Sequence, residues 1–348
     1  MERLIKVTVA LVGVALVIIV AANIFGLTAG SMDASKFAPA VGDPQPSSTG
    51  EAQYVDENGN SVHFNKPLKE SDYLELRNKY DFESDFYPYY SLLNEEQKRA
   101  YYFIYDAAMN LESDVYLGSL LKISASEVMD IITAVYNDHP ELFWLEHEAN
   151  YTYGSHHMVV TVSPSYNGLA MDLENNRRRF EQKVNDIVDE ARAESHNGVV
   201  HEEAVVHDII CRNCEYDLNS DYNQSAYSCL VNGRSVCSGY ARAFQYVMTK
   251  LGIQTYFVTG TSYNGGAHGW NIIKLQDKYY NVDVTWDDEL GRQLGEDLHA
   301  FFNVSDSMLN DSHKRATLSS RLPACTEEDL TYDKTVGETR KIKDIILG

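Results

Sequence analysis

One helical pattern followed by three β-rich runs constrains the fold of this sequence more than any other feature. After GRSVCSGYARAF, the residues Tyr240, Phe244, Val247 and Leu251 recur at spacings of four, three and four, which predicts the buried face of a helix ending at Gly252. The runs QTYFVTGTSY, HGWNIIKL and KYYNVDVTW come next and are typical of β-strands. One helix followed by a sheet predicts an α+β fold.

Cys237 is placed by this pattern at the first turn of the helix, on its buried face, with Ser235 as the candidate N-cap. Free amides and the positive end of the helix dipole favour a thiolate at such a position. The alternative is an inert buried thiol, because cysteine is often buried without being reactive. From this helix alone, the inert thiol is the better interpretation.

A reactive thiolate needs a base and a third polar group that orients the base. His268 begins one β-rich run, and Asp283 lies inside the next. If Leu275 and Lys278 close a two-residue turn, His268 lies opposite Thr285 and Asp283 is its diagonal neighbour on the same face. A four-residue turn gives the same register, whereas a slip by one residue separates the two side chains. Alternatively, His268 is polar filling beside flanking glycines.

Three sequence blocks, GRSVCSGYARAF, GAHGWNIIKL and YYNVDVTWDD, resemble the motif blocks of the transglutaminase-like superfamily in the same order. The resemblance covers about Val199 to Asp306. It implies a papain-like core, in which a nucleophile helix packs on an antiparallel sheet. It also implies that Cys237 is the nucleophile, His268 the general base and then acid, and Asp283 the group that orients the imidazole.

The same resemblance implies that the Cys237 backbone N–H stabilises the oxyanion, together with a second donor that the sequence leaves open. The amide or the phenol of Tyr227 is one candidate. Trp270 and Trp286 are expected to wall the substrate cleft, although packing beside the strands is the alternative role.

The function that this resemblance implies is a cysteine acyl-transfer enzyme that acts on amide or peptide bonds through a thioester. Hydrolysis, as by a protease, amidase or deamidase, is preferred over crosslinking because water competes in an open cleft. The alternative is a non-catalytic surface module that binds peptide or cell-wall glycan in the same cleft, because a fold does not fix a function.

The N-terminus predicts export. Arg3 and Lys6 precede an apolar run from Val7 to Phe25 that is long enough to span a membrane. We favour an uncleaved single-pass anchor with an extracytoplasmic domain over a cleaved signal peptide, whose apolar region is usually shorter. The chain also resembles membrane-anchored or secreted members of the superfamily from Gram-positive bacteria.

The predicted organisation has five parts. A membrane anchor or signal peptide (1–25) is followed by a flexible linker with an Asn-Gly hairpin signal (26–70), a mostly helical domain (71–195), the catalytic domain (196–330) and a C-terminal tail (331–348). In the helical domain, Asn94 and Ser124 are candidate caps of two helices.

Charge and cysteine count limit the partners. The net charge of −22 argues against nucleic acid, so a protein or peptide, including cell-wall peptide, is the expected substrate; the oligomeric state stays open. Five cysteines leave one unpaired, and with Cys237 free the other four could form two bridges; Cys211 with Cys214 and Cys229 with Cys325 is one such pairing, and the sequence leaves the connectivity open. No standard zinc pattern surrounds the CxxC, and we expect no metal and no cofactor.

Overall fold

The computed structural model describes residues 67–154, 158–262 and 266–346, and before them the backbone of three short strands, β1 (Gln45–Pro46), β2 (Ala52–Val55) and β3 (Ser61–His63). β2 and β3 pair antiparallel, in agreement with the predicted hairpin. The predicted anchor or signal at residues 1–25 lies outside the described residues. Among the residues that are described, no helix combines the length and the apolar character that a membrane span requires.

The chain forms two compact units; the described residues of one lie within 31–173 and those of the other within 174–346. In the first unit, α3 starts after Asn94, whose side chain accepts the Gln97 N–H at 3.0 Å, as the sequence predicts for a cap. The unit also contains an antiparallel pair of strands. Its elements are α1 (Glu70–Lys79), α2 (Pro88–Ser91), α3 (Glu95–Asn110), α4 (Ala125–Asp138), β4 (Leu145–Tyr153) and β5 (Val159–Tyr166).

The second unit has a four-stranded antiparallel sheet in the order β10, β9, β8, β11. Its elements are α5 (Leu173–Ala193), α6 (Val199–Asn213), β6 (Glu215–Tyr216), β7 (Arg234–Ser235), α7 (Cys237–Lys250), β8 (Thr255–Ser262), β9 (Ala267–Leu275), β10 (Lys278–Val282), α8 (Val284–Leu294), α9 (Asp306–Leu309), β11 (His313–Arg315), α10 (Tyr332–Thr335) and α11 (Ile342–Ile346).

Helix α7 packs on strands β8 and β9 and against helices α6 and α8. A helix on an antiparallel sheet is the α+β core that the sequence predicted, and this part of the prediction is confirmed. The predicted cap is wrong, because α7 starts after Val236 and the Ser235 hydroxyl donates to the Asn223 carbonyl at 2.6 Å instead.

The unit boundary lies at residues 173/174, not near residue 195 as the sequence suggested. Helix α5 belongs with the sheet because Phe180 stacks on Tyr246, whose hydroxyl donates to Glu181 at 2.5 Å. The C-terminal residues are also part of this unit, since Ile342 packs in an apolar cluster with Phe301.

Candidate active site

Three elements bring Cys237, His268 and Asp283 together. Cys237 is the first residue of α7, His268 lies on β9, and Asp283 is the N-cap of α8. His268 Nε2–H donates to Asp283 Oδ2 at 2.6 Å, and the imidazole also hydrogen-bonds with the Cys237 side chain. Their exposed fractions are only 2%, 3% and 1%. The imidazole therefore links a thiol to a carboxylate in a largely buried site.

The register of strands β9 and β10 is the predicted one. Leu275 pairs with Lys278 across a two-residue turn, and both turn residues, Gln276 and Asp277, have positive φ. The prediction that Asp283 lies inside the strand is wrong, because β10 ends at Val282. The Asp283 N–H leaves the ladder and donates to the Phe301 carbonyl at 3.0 Å.

Electrostatics favour an ion pair between His268 and Asp283. Burial lowers the pKa of His268, but the Asp283 carboxylate and the Cys237 side chain outweigh burial and raise this pKa to about 10. Burial opposes ionisation of Asp283 as well, yet His268 and His313 hold its pKa below the usual range. At neutral pH the imidazolium can therefore stabilise a thiolate at Cys237.

His313, which the sequence analysis missed, is a second histidine on the same carboxylate. From β11, its Nε2–H donates to Asp283 Oδ2 at 2.8 Å, and its Nδ1 accepts from the Ser312 hydroxyl at 2.8 Å. Burial lowers the pKa of His313, so the ring is neutral at pH 7. With the Trp286 N–H on Oδ1 at 3.0 Å, the carboxylate has three donors.

Tyr216 is the second residue that was missed. β6 pairs parallel with β7, placing Tyr216 opposite Ser235, and the Asp217 N–H donates to the Ser235 carbonyl at 2.8 Å. This pairing brings the Tyr216 phenol into hydrogen-bonding contact with both the backbone N–H and the side chain of Cys237. Burial and the charge of Cys237 raise the pKa of Tyr216, so its O–H stays a donor.

Tyr227, the candidate oxyanion donor, directs its phenol elsewhere. Its hydroxyl donates to Asn176 Oδ1 at 3.0 Å, and its ring stacks on Phe180. The two tryptophans predicted to wall the cleft lie beside the histidine pair. Trp270 stacks near His268 at 6.0 Å, and Trp286 lies 4.6 Å from His313, both measured between ring centroids.

A cavity of about 340 Å³ reaches the His313 side of the cluster. Trp270, Asn281, Asp306 and Arg315 line it together with His313, whereas Cys237 and His268 do not. This cavity therefore adjoins the residues that hold Asp283 but offers no direct approach to the thiol.

The five cysteines are all free, so neither of these two bridges is present. Cys229 contacts Cys214, while the Cys325 sulfur accepts from Arg315 at 3.3 Å.

The sequence model of a family described as "Transglutaminase-like superfamily" matches residues 185–284. Residues 185–284 are transglutaminase-like. The match spans Cys237 and His268 and ends just after Asp283, so the resemblance seen in the sequence blocks is confirmed for this segment. No curated protein sequence is significantly similar to the chain.

Three solved structures are similar in part. A putative cysteine protease from Cytophaga hutchinsonii is 20% identical over 29% of this chain and 37% of its own, with a TM-score of 0.26. A structure described as a TGase is 12% identical over 48% and 49%, with a TM-score of 0.28. The periplasmic domain of TgpA from Pseudomonas aeruginosa, bound to ethylmercury, is 18% identical over 38% and 61%, with a TM-score of 0.25. The chain thus spans between about a third and three fifths of these structures.

Proposed function

We propose that this chain is an exported cysteine enzyme that cleaves amide or peptide bonds through a thioester on Cys237. The observation that carries the proposal is the continuous contact from the Cys237 thiol through the His268 imidazole to the Asp283 carboxylate, with the pKa of His268 raised to about 10. A thiolate paired with an imidazolium is a nucleophile and a proton donor at the same pH.

In the first half-reaction, the Cys237 thiolate attacks the carbonyl carbon of the substrate and forms a C–S bond. The oxyanion that develops accepts hydrogen bonds from the Cys237 N–H and the Tyr216 O–H. Before substrate binds, these two groups are in hydrogen-bonding contact with each other. When the C–N bond breaks, the His268 imidazolium gives its proton to the leaving amine. The product is a thioester and a neutral imidazole.

In the second half-reaction, neutral His268 takes a proton from water, and the resulting hydroxide equivalent attacks the thioester. The C–S bond breaks, Cys237 leaves as a thiolate, and the thiolate–imidazolium pair is restored. An amine in place of water would give a crosslink. Hydrolysis is the proposed outcome, because water is present at far higher concentration than any amine.

The test is mass spectrometry of cell-wall and protein-derived peptides after incubation with the full chain and with Cys237→Ala, with and without an added primary amine. Cleaved or deamidated peptides that form only with the wild type support hydrolysis, whereas amine-linked peptides would replace hydrolysis by transamidation. A thiol-directed electrophilic peptide that labels both proteins equally would contradict the proposal altogether.

A further inference from the structure

A second cluster of ionisable side chains lies outside the Cys237 site. His207, Asp208 and Cys211 are on helix α6, and His299 lies in the segment after α8. The side chains of His207 and His299 are 1% and 6% exposed, while that of Asp208 is 40% exposed. The cluster is therefore buried on one side and reaches solvent through Asp208.

The potential ligand atoms of His207, Asp208 and His299 converge, and the Cys211 sulfur lies beside His207. His207 Nδ1 lies 3.3 Å from Asp208 Oδ1 and 3.8 Å from Cys211 Sγ, and His299 Nε2 lies 2.6 Å from Asp208 Oδ1. The ligand atoms of His207, Asp208 and His299 all lie within 4.8 Å of one another. Two imidazoles, a carboxylate and a thiol form a donor set that suits zinc.

The orientation of His207 gives a second argument. Its Nε2 faces Asp287 Oδ2 at 3.2 Å, and the Asp287 carboxylate is held by the Phe301 N–H, 3.1 Å from Oδ1 and 3.3 Å from Oδ2. Asp287 can thus accept a hydrogen bond from Nε2–H, which leaves the lone pair on Nδ1, and Nδ1 faces Asp208 and Cys211. A carboxylate behind the imidazole is the arrangement by which proteins orient a metal-binding histidine.

We propose that His207 Nδ1, Asp208 Oδ1, Cys211 Sγ and His299 Nε2 bind a zinc ion. In a tetrahedral zinc site, bond lengths of about 2.0–2.1 Å to N or O and 2.3 Å to S separate N from O by about 3.3 Å and N from S by about 3.6 Å. The His207 distances are close to these values. The shorter separation between Asp208 and His299 must widen by about 0.7 Å on binding, and the partly exposed Asp208 side chain has room to move.

The neighbouring CxxC does not supply the ligands. Cys214, its second cysteine, contacts Cys229 and lies 3.9 Å from the Glu215 carbonyl. Of the two CxxC cysteines, Cys211 is the one beside His207, so the spacing of the CxxC alone gives no zinc pattern. The ligand set depends on a histidine 88 residues further along the chain than Cys211.

The site would be structural. Cys211 Sγ also lies 3.7 Å from the carbonyl of Val284, the first residue of α8, and Asp287 is on the same helix. Asp283, the cap of α8, orients His268. A metal that joins α6 to the His299 segment would therefore hold the helix that carries the proposed catalytic carboxylate, and the His299 ring is itself stacked on Tyr332 at 3.8 Å between centroids.

Cobalt binding and thermal unfolding test the site on the full chain in a Cys237→Ala background, which removes the other reactive thiol. After chelator treatment, one equivalent of Co²⁺ should give the thiolate charge-transfer band and the intense visible bands of tetrahedral cobalt. Zinc should compete with it and raise the Tm by about 5 °C. Cys211→Ser should abolish the charge-transfer band, and His299→Gln should weaken metal binding at least tenfold.

Cys214→Ser is the matched control and should bind Co²⁺ like its parent. Loss of the charge-transfer band in Cys214→Ser would assign the metal to the CxxC instead and overturn the proposal. The proposal also fails if the parent shows no cobalt bands and no rise in Tm, because the cluster would then be a set of ion pairs alone. Circular dichroism shows whether each variant is folded. If Cys211→Ser does not fold, metal binding by His299→Gln still tests the proposal.

Discussion

At the scale of single residues, the Asp283 carboxylate is the main group that raises the pKa of His268. Replacing Asp283 by Asn removes the charge but keeps an oxygen near the imidazole. We therefore expect the pKa of His268 to fall from about 10 towards its ordinary value of 6.5. An NMR titration of ¹³C-labelled histidines in the full chain measures this shift, and an unchanged titration near pH 10 would disprove the assignment.

The raised pKa of His268 also makes the stability of the fold depend on pH. A histidine whose pKa is raised by folding contributes stability that is complete below pH 6.5 and is lost as pH rises through about 10. Asp283→Asn should remove that dependence. The midpoint of urea unfolding should then change less between pH 7 and pH 10 in the variant than in the wild type.

His313 is expected to act through Asp283. Removing its N–H by His313→Ala leaves a buried carboxylate with one donor fewer, so labelling of Cys237 by an electrophilic peptide should slow about tenfold. His313→Asn offers an amide donor and should recover part of the rate. A purely structural role would leave the pKa of His268 at its wild-type value in folded His313→Ala, whereas we expect this pKa to change because Asp283 is less well held.

At the scale of elements, the tight start of helix α7 depends on Gly239. A Cβ there would lie 1.8 Å from Ser235 Oγ and 2.8 Å from the carbonyl oxygens of Asn223 and Ser225. Gly239→Ala should therefore destabilise the chain by about 1–3 kcal/mol and lower the labelling of Cys237. Gly337→Ala is the matched control, because its Cβ would meet Tyr332 at an ordinary 3.5 Å. Equal Tm values for the two variants would contradict this account.

Sequence periodicity predicted the elements that make many local contacts. The face of α7 and the register of β9 with β10 follow from residues that repeat over several turns or pairs. By contrast, VDVTW has a strand pattern, yet β10 ends at Val282, where the Asp283 N–H leaves the ladder and donates to Phe301. This is a contact with a later segment, which local pattern does not encode.

Sequence patterns missed Tyr216 and His313 for a similar reason, because long-range contacts bring both residues to the site. Tyr216 lies on a strand of two residues and His313 on a strand of three, too short for any periodic signal. Tyr216 reaches Cys237 through pairing with Ser235, 19 residues away, and His313 reaches Asp283 across 30 residues. The sequence could predict Cys237, His268 and Asp283 as site residues because each lies within a longer sequence block.

At the scale of the whole molecule, stability should depend on Glu203, a buried acid outside the Cys237 site. Glu203 is fully buried; its Oε2 accepts from Asn303 Nδ2 at 2.8 Å, and its Oε1 has no partner among the residues that the structure describes. Burial raises the pKa of this carboxyl from 4.5 to about 8. In the folded chain it is therefore protonated at pH 7.

The direction of the pH dependence follows from the number of protons that Glu203 binds in the folded and in the unfolded chain. Below pH 4.5 both states are protonated. Between pH 4.5 and about 8 only the unfolded chain ionises, so the free energy of unfolding should fall by about 1.4 kcal/mol per pH unit from this group. Glu203→Gln cannot ionise and should flatten the dependence, whereas Glu202→Gln, its neighbour on α6, should retain it. Urea unfolding from pH 5 to pH 8 measures the slopes, and identical slopes for Glu203→Gln and wild type would show that Glu203 is ionised in the folded chain.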